Sequence, residues 1–102
     1  MYTRQMFIND LEELIIVFKE EVQKREQGIV GNSDVDELRN VFLDEFYVLL
    51  EQAKSNSLPP RGKRQLESTW VALDQWDNSP DKQDIMSTKF FQLSQNYKHN
   101  LE

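Results

Sequence analysis

The chain has 102 residues, of which 38% are apolar, 29% charged and 11% aromatic, so it is long enough for one modest core and too aromatic for a disordered segment. A formal charge of −6 argues against a nucleic-acid binder and against a surface for anionic membranes. The complete absence of Cys rules out a disulfide framework, and a lone His99 leaves too few soft ligands for zinc.

The first predicted helix covers about 4–27. Phe7, Leu11, Leu14, Ile15, Phe18 and Val22 recur at spacings of three and four, which places them on one face. Ile8, Ile16 and Val17 widen that stripe, as expected of a helix that touches two neighbours. Thr3 is the expected cap, with Asn9 as a later alternative, and Gly28 the expected stop. Between Gly28 and Gly31, Ile29 and Val30 either plug the bundle end or form a small sticky loop, and the plug is the favoured reading.

The second helix is expected over 34–55, capped by Ser33 or Asp34, with Asp34, Asp36 and Glu37 suited to the helix dipole. Val35, Leu38, Phe42, Phe46, Leu49 and Ala53 trace its inner face. Leu58-Pro59-Pro60 breaks the helix, and Pro60 suits the first turn of a third helix over 60–77. There Leu66, Trp70 and Leu73 make the expected inner stripe. Trp76 lies six residues beyond Trp70, about 240° around a helix, and is expected to be partly exposed, with Tyr47 and Phe91 as possible companions. It then serves either as an interface anchor or as a lid over the bundle end.

Asn78-Ser79-Pro80-Asp81 reads as a stop and a new start, opening a fourth helix over 80–98 with Ser79 as cap. Ile85, Met86, Phe90, Leu93 and Tyr97 form its face. Leu101-Glu102 reads as a cloning remnant and carries little weight. The expected architecture is all-α: a single domain over 1–100 folded as an antiparallel, up-down-up-down four-helix bundle. No run of about 18 apolar residues is present, and Met1 to Gln5 lead into no signal-like apolar run, so the expected home is cytoplasmic.

Catalytic groups are scarce. No Glu-x-x-His pair exists for a di-metal bundle site, and the adjacent pairs Glu12-Glu13, Glu20-Glu21 and Asp44-Glu45 splay about 100° apart on a helix. Any nucleophilic Ser would depend on His99 in an expected frayed end. The expectation is therefore no enzyme, no metal and no cofactor.

Two charge features remain. Residues 1–57 carry 12 acidic and 6 basic side chains, whereas 58–102 carry 6 of each, so the first helical pair is the acidic part. Glu12, Glu13, Glu20 and Asp44 are the candidate contacts there for a basic protein partner, with Trp76 as the alternative anchor. The run Arg61-Gly62-Lys63-Arg64 is basic in an acidic chain and stands near an expected helix start. It is a candidate small-anion site through Arg61, Lys63 and Arg64, although a solvated charge run is the plainer reading.

In size, charge and helix count the chain is similar to bacteriocin-immunity and toxin-neutralising bundles, and to many small bacterial proteins of unassigned role. That resemblance implies action by binding. The leading expectation is a non-catalytic protein–protein interaction module. An immunity or antitoxin-like protein facing a basic toxin and a small-anion binder are the alternatives, and the wide stripe of the first helix also allows self-association.

Overall fold

The structure is a computed structural model that describes residues 1–77 and 84–102. Helix α1 spans Arg4–Glu26, and Thr3 caps it by accepting the Met6 amide (3.2 Å). It ends as expected at Gly28, whose φ of +89° suits a residue without a Cβ; the Ile29 and Gly28 amides close on Lys24 and Arg25 carbonyls (2.9 and 3.1 Å).

Helix α2 runs over residues 35–54, capped by Asp34, which accepts the Glu37 amide (2.8 Å). Its middle, Leu38–Leu43, is a π-helix. In an α-helix Leu38 and Leu43 would sit about 140° apart. The wider i→i+5 turn brings them closer in azimuth, and both are buried with Phe42.

Helix α3 spans only Glu67–Gln75, seven residues shorter at its start than expected. Pro60 begins a turn closed by the Lys63 amide on the Pro60 carbonyl (3.0 Å), and Leu66 is extended. The donors of the first helical turn find their acceptor on another element. Glu45 of α2 accepts the Glu67 amide (2.8 Å), the Ser68 amide (3.3 Å) and the Ser68 hydroxyl.

Helix α4 occupies residues 85–100, with Asp84 accepting the Ser87 amide (2.8 Å) and a π-helical end at Asn96–Asn100. The expected cap at Ser79 and helix start at Pro80 and Asp81 lie outside the described residues.

These helices make an all-α four-helix bundle. Helix α1 is the central member and packs against both α2 and α4; of the residues expected to widen its stripe, Ile8 is buried and Val17 half-buried, but Ile16 is exposed. The start of α1 lies against the end of α2, where Arg4 donates to the Ala53 carbonyl (3.1 Å). Phe18, Phe42, Phe46, Trp76 and Phe90 form one aromatic cluster in the core, with ring centroids 4.9 to 6.4 Å apart.

Two expectations about the core are corrected. Trp76 is 5% exposed and stacks on Phe42 (5.0 Å), whereas Trp70 is 68% exposed and Leu73 is also exposed. Helix α3 ends before Trp76, whose backbone is extended (ψ 145°), so the helical angle between the two tryptophans does not apply. Leu66 just before α3 is buried as expected, and within α3 the buried residues are Ser68 and Ala72. Ile85, expected on the inner face of the fourth helix, is exposed.

Leu101 is fully buried. Its backbone bridges Tyr2, its amide donates to the Asn96 carbonyl (2.7 Å), and the Glu102 amide donates to the Tyr2 carbonyl (3.3 Å).

Candidate functional site

The basic cluster does not present an anion cradle. Arg64 is buried and donates to three carbonyls: Pro59 (2.8 Å), Leu101 (2.6 Å) and Glu102 (3.1 Å). Arg61 donates to the His99 carbonyl (2.7 Å), so the expected frayed end is tied. Two of the three proposed anion-binding side chains are thereby spent on the C-terminal end of α4, where cations suit the helix dipole. Lys63 alone of the three stays exposed without a hydrogen bond among the described residues. The helix start once expected beside them lies at Glu67, and its amides are already held by Glu45.

The four candidate carboxylates are all exposed, but they do not share one surface. Glu13 pairs with Lys89 of α4 beside a polar cleft that also includes Asp10 and Asn96. Asp44 lines a groove between α1 and α2, beside Lys19 resting on the Tyr47 ring (5.6 Å) and an Arg39–Glu26 pair (3.1 Å). Glu12 lines neither of these. Glu20 stands at the loop end of the bundle. Trp76 is removed as a surface contact by its burial; of its expected companions Phe91 is in edge contact (6.0 Å), whereas Tyr47 faces the groove with Lys19.

The feature that the sequence reading placed least well is the loop after α1. Ile29 and Val30 do not plug the bundle. Val30 is 92% exposed, and Ile29 and Ile85 beside it are also exposed. The pair forms a ridge between two hollows of about 510 Å³ each. One is floored by Val17, Ile85 and Met86 and edged by Glu20, Glu21 and Asp84. The other is edged by Asp34 and Glu37.

This ridge is held from beneath. The Arg25 side chain is 7% exposed; it donates to the Ser33 carbonyl (3.0 Å), the Asn32 carbonyl (2.9 Å) and Glu21 (3.1 Å). A Cβ on Gly31 would collide with the Arg25 guanidinium, so a larger residue there would displace that side chain from beneath the loop. Ser33 adopts φ +65°, and its hydroxyl accepts from Trp76 Nε1 (2.7 Å) and donates to Glu37. Asn32 donates to Ser87 Oγ (3.3 Å) and accepts the Asp77 amide (3.1 Å). Helices α1, α2 and α4 and the end of α3 all fasten one short loop.

Two tyrosines are perturbed. Burial, then the hydrogen bond and charge of Asp10 (2.6 Å), push the Tyr2 hydroxyl well above its ordinary value, against an opposing hydrogen bond from Asn96. Burial also raises Tyr97; Arg64 over its ring (5.9 Å) opposes the rise and Glu45 adds to it.

Among the described residues there is no group of three or more His, Asp or Glu placed to hold a metal, and no helix is long and apolar enough to cross a membrane. No protein-family model, curated protein or solved structure matches the chain.

Proposed function

We propose that the protein is a non-catalytic interaction module that binds another protein through the loop end of the bundle, centred on Ile29, Val30 and Ile85. The observation that carries this reading is a cluster of exposed apolar side chains on a loop that is already fixed. Scattered exposed apolar residues are ordinary, but a contiguous patch marks a contact surface. Fixing the loop in advance lowers the ordering cost of binding. An immunity or antitoxin-like role is the narrower form of this reading, supported by the net charge of −6.

Because the chain has no Cys, one introduced thiol is a unique attachment point. Val30→Cys and Glu51→Cys, each carrying a photo-crosslinker, are compared in lysate of the source organism. The expected result is one covalent protein adduct from position 30 and none from position 51. Equal or absent crosslinking at the two positions overturns the reading.

A further inference from the structure

The chemistry around the ridge specifies its partner. Resting on the binding-module reading, we infer that the loop end receives a basic amphipathic helix of another protein. Five carboxylates edge the two hollows (Glu20, Glu21, Asp34, Glu37 and Asp84) against two cations, Lys24 and Arg25. The two cations reduce this excess but leave three negative charges over. Arg25 lies beneath the loop, donating to the Ser33 and Asn32 carbonyls and to Glu21, and Lys24 also pairs with Glu21 (3.0 Å). Asp34 and Asp84 each use one oxygen as a cap and keep the other. The apolar ridge is therefore flanked by negative charge on both sides.

The shape adds to the charge. Val30 projects between two recesses, as a knob does. A helix accepts such a knob in the space between apolar side chains at i, i+3, i+4 and i+7. Two of those side chains then straddle the ridge and enter the hollows. Lys or Arg on either flank of that stripe meets Glu20 and Asp84 on one side, Asp34 and Glu37 on the other. A continuation of ordinary surface would need neither the knob nor the double acidic border.

The probe is a synthetic helical peptide with a Leu stripe and Lys flanks. It is compared with the same peptide bearing Glu flanks and with a scrambled Leu/Lys peptide of equal charge. Binding is followed by anisotropy and by ¹⁵N NMR titration of the full chain. The Leu/Lys helix is expected to bind, with shifts confined to 17–25, 28–37 and 84–87. Val30→Ser weakens it roughly tenfold by removing one buried anchor. Glu20→Lys weakens it roughly threefold, and added salt weakens it further. Both substituted positions are exposed, and an unchanged amide spectrum away from the loop verifies the fold.

Equal binding of the Glu-flanked or scrambled peptide, no binding of the Leu/Lys helix, or no effect of Val30→Ser overturns the inference. So does movement of the 28–31 signals with the protein's own concentration, which makes the occupant a second copy. If crosslinking at position 30 captures a partner through a segment that is not basic, the partner class falls while the binding surface stands. If it captures nothing, both fall.

Discussion

Arg64 illustrates how one side chain changes meaning between sequence and structure. In the sequence it is a third of a basic run; in the fold it gathers Pro59, Leu101 and Glu102 into one knot over the Tyr97 ring. Arg64→Met should cost about 2–4 kcal/mol in urea denaturation, because three carbonyls lose a charged donor. Arg64→Lys should recover less than half, since an ammonium cannot reproduce the planar fork. Tyr97 gives a pH test. Its folded-state proton is held to higher pH than in the unfolded chain. The resulting stability is complete below the ordinary value of 10.0 and is lost as pH rises from there through the folded value. Wild type should therefore lose stability above pH 10 more steeply than Tyr97→Phe, as read from denaturation midpoints across pH.

At the scale of elements, α1 and the body of α2 were legible in the sequence because their information is local. Thr3, Asp34 and Gly28 cap or stop their own helices, and the apolar period is long. Helix α3 was not legible, because Glu45, 22 residues away in sequence from Glu67, supplies its cap. No residue near Leu66 announces that start. Glu45→Ala should destabilise the protein by about 1–2 kcal/mol, with faster amide exchange at Glu67 and Ser68 as the local signature. The same lack of a local signal explains the wrong face. Of the expected stripe Leu66 is buried, but within the helix it is Ser68 and Ala72 that face inward while the larger Trp70 and Leu73 are exposed.

At the scale of the molecule, the two tryptophans separate the competing arrangements. Trp76→Ala should cost about 3–5 kcal/mol, as for a large aromatic removed from a core. Trp70→Ala should stay within about 0.5 kcal/mol, as for a surface change. Denaturation of each variant checks this, and fluorescence does so independently: Trp70→Phe leaves a buried, blue-shifted emitter, Trp76→Phe an exposed, red-shifted one. Trp76 also joins the core to the candidate surface, since its ring lies on Phe42 while its Nε1 holds Ser33 beneath the ridge. The indole expected to touch a partner instead supports the loop that presents Val30.

Helical periodicity, capping residues and the absence of Cys and Glu-x-x-His determined the all-α class, the central helix and the poverty of catalytic groups. These are statements about neighbours along the chain, so they survive without coordinates. The dispersal of Glu12, Glu13, Glu20 and Asp44, the use of Arg61 and Arg64 on distant carbonyls, and the exposure of Ile29 and Val30 depend on how helices meet. Contacts between residues brought together by packing decide those features, among them the bonds of Arg61 to His99 and of Arg64 to Leu101. No pattern confined to one segment encodes such a bond, and for that reason the loop end emerged as the candidate surface only once the helices were packed.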